Sequence, residues 1–102
     1  MVRLIEDKKK DLEILCRQFH VRRLDVFGSA ATDQLQPGSD IDFIVEFDKT
    51  INENRFDTFF GLLDALRKLF GRPIDLVEPG GLRNPYFIKD VNRTRKQVYV
   101  QT

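Results

Sequence analysis

Asp40, Asp42 and Asp75 stand in or at the start of apolar strand-like runs, where a carboxylate is costly unless a partner compensates its charge. Asp40 and Asp42 open the run Asp-Ile-Asp-Phe-Ile-Val-Glu-Phe at 40–47, and Asp75 lies between Ile74 and Leu76. The 40–47 run alternates strictly. It predicts a strand with Ile41, Phe43, Val45 and Phe47 turned to a core and Asp40, Asp42, Ile44 and Glu46 turned away. Two aspartates two residues apart on a strand share a face, with Cα atoms roughly 6.5–7 Å apart. Carboxylates so placed repel unless one binds a proton or a cation stands between them. A hard dication with oxygen ligands relieves the repulsion, and magnesium beside phosphate is its usual setting. Asp75 reaches the same cleft if its strand adjoins 40–47. It would then serve as a further ligand, or as a base for the proton of an attacking hydroxyl.

The second element of this chemistry lies upstream. Gly28-Ser29 ends the run Arg-Arg-Leu-Asp-Val-Phe at 22–27, which predicts a strand, and precedes a segment, 30–34, that predicts a short helix with Ser29 as its N-cap. Glycine lets the backbone approach a ligand, a helix N-terminus offers N–H groups to an anion, and the serine hydroxyl adds a donor. A polyphosphate fits between this turn and the aspartate strand.

The remaining segments are those that must position these residues. Leu12, Leu15, Cys16 and Phe19 fall on one helical face with Ile5 earlier, predicting an amphipathic helix over 3–19 that breaks at His20. Residues 55–70 carry apolar side chains at Phe56, Phe59, Phe60, Leu63, Leu66 and Phe70, predicting a helix with that face buried and Gly71 as its stop. Ile74 to Val77 reads as a third strand, a Gly/Pro-rich loop follows, and 86–95 and 97–100 read as a last helix and strand. The order describes an α/β domain with a short central sheet, with strand order and direction left open. Cys16 is expected in the core and His20 at a helix end.

Composition narrows the function classes. The 102 residues fit a single domain over 1–102, 41% hydrophobic and 32% charged, which argues against disorder. Seventeen Lys plus Arg against 16 Asp plus Glu leave a net charge of +1, so no bulk electrostatics favours a nucleic-acid backbone, and direct nucleic-acid binding is not expected. One cysteine permits no internal disulfide, and no run reaches the length of a membrane span. A cytoplasmic protein without membrane contact is the expectation.

Gly28-Ser29, ten intervening residues and then Asp40-Ile41-Asp42, with a later strand aspartate, resembles the signature of the DNA polymerase β-type nucleotidyltransferase superfamily. The segment Val-Phe-Gly-Ser-Ala-Ala-Thr-Asp-Gln-Leu-Gln-Pro-Gly-Ser-Asp-Ile-Asp-Phe-Ile-Val-Glu-Phe is most similar to its smallest members, the MNT-type minimal nucleotidyltransferases of prokaryotes. The resemblance implies an α/β (α+β) fold with a short mixed sheet flanked by helices. It implies that Gly28 and Ser29 bind the triphosphate, that Asp40 and Asp42 hold two magnesium ions, and that Asp75 completes the site as third ligand and catalytic carboxylate. ATP would be the substrate, and AMP would move to a hydroxyl. It further implies a HEPN-type toxin as partner in a hetero-oligomer, with a toxin tyrosine as acceptor and the chain as antitoxin. Many relatives carry a basic residue directly after the Gly-Ser; here Ala30 and Ala31 follow, leaving Arg22, Arg23, Lys68 and Arg72 as candidate cations for the triphosphate. A different class of function also fits the sequence: a protein that neutralises its partner by binding, with catalysis dispensable.

Overall fold

The computed structural model describes residues 3–50 and 54–102. Helices α1 (Arg3–Asp7) and α2 (Lys9–Gln18) lead into strand β1 (Val21–Phe27), followed by a short turn of 3-10 helix at Gly28–Ala30 and strand β2 (Ile41–Phe47). Helix α3 (Arg55–Phe70), strand β3 (Ile74–Val77), helix α4 (Pro85–Thr94) and strand β4 (Lys96–Val100) complete the chain. The strands form one sheet in the order β3-β2-β1-β4. β1 runs antiparallel to β2 and β4, and β3 lies parallel to β2, so the sheet is mixed as the resemblance implies.

Local chemistry accounts for the element boundaries. The Asn54 side chain accepts from the amides of Phe56 and Asp57 and starts α3, and Gly71, at φ +64, ends it in the left-handed conformation that a Cβ disfavours. Asn84 caps α4 in the same way, with Pro85 in the first turn, where a missing N–H costs nothing. The predicted helix over 3–19 is interrupted at Lys8. Its amide makes a tight bond to the Ile5 carbonyl three residues back, and α2 starts afresh from the Lys8 carbonyl.

One face of the sheet packs on α2 and α3. Leu24 and Val26 of β1, Ile41, Phe43 and Val45 of β2, Leu76 of β3 and Val98 of β4 meet Leu12, Cys16, Leu62 and Leu66 there. Burial pushes the Cys16 thiol up to about 12, so it is a core group and a poor nucleophile. Of the α3 face expected in the core, Leu63 and Leu66 are buried and Phe59 and Phe70 pack against the core, whereas Phe56 and Phe60 are 68% and 48% exposed and Leu62 is buried in addition. Position 60 lies about 200° around the helix from position 62, so a stripe centred on Leu62 and Leu66 carries Phe60 outward. The opposite sheet face holds a smaller apolar cluster of Phe27, Ile44 and Val91, through which α4 is seated.

Candidate active site

The strand register assembles the site. Asp42 pairs with Asp75 across the parallel β2–β3 ladder and with Phe27 across the antiparallel β1–β2 ladder. Paired residues share a face, so Asp42 and Asp75 project together on the side away from the main core, and β1 delivers Gly28 beside them. Gly28, at φ +70, comes so close that a Cβ there would lie 2.8 Å from Asp42 Oδ2. Its conformation favours glycine, and a Cβ would push the Asp42 carboxylate aside. Asp40 precedes the strand and is exposed, as is Asp75, whereas Asp42 between them is partly buried.

The electrostatics follow from that placement. The Asp42 carboxyl is pushed up to about 6, first by desolvation and then by the negative charges of Asp75 and Asp40. All three carboxylates therefore act on one locus. Among the described residues, no three acidic, His or Cys side chains close into a ready-made metal cage. The charges are concentrated at one locus without three carboxylates closing on a single point. The donor set still fits a hard, oxygen-seeking cation. Magnesium keeps several waters and takes one or two carboxylates plus phosphate oxygens in such sites, so a complete protein cage is not required.

The Gly28–Ala30 turn departs from the predicted geometry. No α-helix spans 30–34, and Ser29 lies within the 3-10 turn; the residue before the turn is Phe27, and no side chain caps it. The turn is held from within by bonds from the Ala31 amide to the Gly28 carbonyl (3.1 Å), the Gln34 amide to the Ser29 carbonyl (2.9 Å) and the Thr32 hydroxyl to the Gly28 carbonyl (3.2 Å). The reason is packing: Ala30 and Ala31 are both fully buried in the main core. A long cationic side chain at either position would have to displace core contacts. Of the four candidate cations, Lys68 pairs with Asp64 on α3, Arg22 with Glu46 and Arg23 with Asp25. Arg72 alone of these bonds beside the aspartates, donating to the Ser39 carbonyl at 3.3 Å just before β3.

Two residues of this face are not among the sequence candidates. Asp25 is fully buried yet charged on both sides: Arg95 Nε reaches Oδ2 at 2.7 Å, and Arg23 Nε reaches Oδ1 at 3.0 Å. Thr94, 7% exposed, accepts from the Gly28 amide at 2.9 Å. The signal for Asp25 is present in the sequence, since it stands between Leu24 and Val26 as Asp75 does between Ile74 and Leu76. Its partner Arg95 stands 70 residues away and nothing local points to it.

A cleft of about 320 Å³ opens at the other end of β2, between Arg22, Glu46, Lys49, Arg55 and Glu78. Both of its acids are paired, Glu46 with Arg22 and Glu78 with Arg55, and Lys49 adds a further positive charge. The like-charged Asp40, Asp42 and Asp75 lie at the Gly28 end, and that repulsion, rather than cavity size, makes it the candidate site.

Comparison with known proteins identifies the family and the fold. Residues 8–98 match the model of the nucleotidyltransferase domain family. The chain belongs to that family. It is 37% identical over 83 residues to a Methanocaldococcus jannaschii protein named as a candidate protein adenylyltransferase, covering 81% of this chain and 82% of the relative. A solved structure described as a candidate minimal nucleotidyltransferase superposes with a TM-score of 0.74 at 27% identity, covering 90% of both chains. A Shewanella oneidensis complex of a tri-AMPylated HEPN toxin with its MNT antitoxin matches in fold, with a TM-score of 0.64 at 17% identity, over 95% of this chain and 73% of that one. This nucleotidyltransferase domain is thus of the minimal, adenylyltransferase-like kind. No helix among its described residues is long and apolar enough to cross a membrane.

Proposed function

We propose that this nucleotidyltransferase domain moves AMP from ATP to a hydroxyl of a partner protein, using Asp40, Asp42 and Asp75 with the Gly28-Ser29 turn. The observation that carries the reading is the register that pairs Asp42 with Asp75 while Gly28 lies against Asp42. Asp40, Asp42 and Asp75 would hold magnesium, which when bound neutralises phosphate charge and acts as a Lewis acid. Gly28 leaves room for the polyphosphate, and Ser29 offers it a donor. Arg72, beside Ser39, supplies the cation that Ala30 and Ala31 cannot. The acceptor oxygen forms a bond to the α-phosphorus, the bond from that phosphorus to the α–β bridging oxygen breaks, and pyrophosphate leaves. The hydroxyl proton passes to Asp75, which is exposed and open to an incoming acceptor. Positioning and charge neutralisation dominate such transfers, so a small domain suffices.

The acceptor in this reading is a tyrosine of a HEPN-type toxin, and the chain acts as its antitoxin in the cytoplasm. The AMPylated toxin in the fold-matched complex supports it. The test is incubation with magnesium, ATP labelled on its α-phosphate and the candidate partner. Label is expected on the partner with the natural chain and absent with Asp40→Asn/Asp42→Asn/Asp75→Asn. No label with either chain would overturn the reading.

The exposed Phe56 and Phe60, whose rings lie 4.6 Å apart, favour a second reading: neutralisation by binding alone. If the triple aspartate variant still neutralises the partner in full, binding is the function and transfer is dispensable.

A further inference from the structure

The turn that begins at Gly28 is fastened from the far end of the chain. The Gly28 amide donates to Thr94 Oγ1 at 2.9 Å, and the same hydroxyl donates to the Asp90 carbonyl at 3.1 Å. A hydroxyl has one proton. Because that proton goes to Asp90, the oxygen can only accept from Gly28, and the direction of the bond is fixed. Thr94 is itself held tightly. It is the last residue of α4, is 7% exposed, and is followed by Arg95, whose guanidinium is tied to the buried Asp25 at 2.7 Å. One turn earlier Val91 is buried against Phe27 and Ile44.

We infer that Thr94 is a positioning residue for nucleotide binding: its hydroxyl orients the Phe27–Gly28 peptide and so aims Ser29 at the triphosphate. This rests on the reading of Gly28-Ser29 as the phosphate turn. The Gly28 amide is thereby occupied within the protein. Gly28 then contributes the missing side chain beside Asp42, and the donors for phosphate come from Ser29. A turn set before the ligand arrives avoids the ordering cost at binding. The α4 C-terminus, remote in sequence from the aspartates, becomes part of what sets affinity.

The test uses the full chain, a non-hydrolysable ATP analogue with magnesium, and two substitutions. Thr94→Ser keeps the acceptor; Thr94→Val keeps the shape and loses it. Thr94→Val is expected to weaken analogue binding roughly tenfold, the scale of one lost buried hydrogen bond, with Thr94→Ser within about threefold of the natural chain. Leu12→Ala, on the opposite face of the sheet, lowers stability without weakening binding, which separates positioning from general loosening. Independently of any variant, hydrogen exchange at the Gly28 amide is expected to be slow already without nucleotide and unchanged with it. Thr94→Val binding within twofold of the natural chain, or a Gly28 amide protected only after the analogue binds, would overturn the inference and leave the proposed function standing. Absence of analogue binding by the natural chain would overturn both.

Discussion

The two faces of the β1–β2–β3 sheet are built from alternate residues of the same strands, yet opposite physics governs them. On the α2/α3 side, Phe43 and Leu76 pair across the parallel ladder and are buried with the helices, and the free energy comes from apolar surface removed from water. One residue earlier on each strand, Asp42 and Asp75 pair in the same register on the other side, and the Asp42 carboxyl is held above its ordinary range by burial and by its neighbours. The first face is satisfied by the fold. The second keeps like-charged carboxylates together, and in the proposed function a cation and a polyphosphate would relieve them. In that reading, function rests on a compensation withheld by a scaffold that the other face makes stable.

That contrast can be broken from either side. The largest expected effect is on the apolar face. Phe43→Ala, at a fully buried position, should cost about 3–5 kcal/mol and leave much of the protein unfolded in denaturant titrations at room temperature. Next comes Asp25, on the acidic face but compensated. Asp25→Ala strands Arg95 and Arg23 beside a buried gap and should cost on the order of 3 kcal/mol, read from the same titrations. Asp25 thus behaves as a structural charge, although it shares a sheet face with Asp42.

Asp42 should respond in the opposite sense. Its folded-state value of about 6 lies above the ordinary carboxylate value, so the native state binds the proton more tightly than the unfolded chain. Stability without magnesium should therefore fall as pH rises from about 4 to about 6 and stay reduced above it. Asp42→Asn should remove that slope and raise metal-free stability at neutral pH. The full shift corresponds to about 3 kcal/mol; partial solvent exposure reduces the expected gain to about 1–2 kcal/mol, several degrees in Tm. A loss of stability would mean that the two faces are not opposed. The smallest effect sharpens the picture: Arg72→Ala should weaken binding of the magnesium–nucleotide complex only several-fold, with the fold unchanged, since this cation supplements the aspartates. Calorimetry on the variant measures it.

What was legible in the sequence follows the same division. The alternation of 40–47 and the ending of α3 at Gly71 are local signals, and the structure has β2 at Ile41–Phe47 and α3 at Arg55–Phe70. The pairing of Asp42 with Asp75 depends on parallel register between strands separated by a helix, which no spacing encodes. On α3 the expected Leu63 and Leu66 are buried, but Phe56 and Phe60 are exposed, because phenylalanine is large and apolar wherever it stands and composition alone does not set the edge of the buried stripe. The helix expected over 30–34 fails for a tertiary reason: Ala30 and Ala31 are drawn into the core, and a tight turn reaches it where a helix does not. Asp25 stands in an apolar strand, but its pairing with Arg95, like that of Thr94 with Gly28, is not legible, because the partners lie 70 and 66 residues apart.

The central claim is that the acidic face is completed by a cation and a nucleotide together. Calorimetric titration of a non-hydrolysable ATP analogue into the natural chain and into Asp42→Asn, each with and without magnesium, tests it most directly. Binding that requires magnesium in the natural chain and weakens at least a hundredfold in Asp42→Asn, about 2.7 kcal/mol, is the expected result. Binding that ignores magnesium, or survives unchanged in Asp42→Asn, would contradict the account.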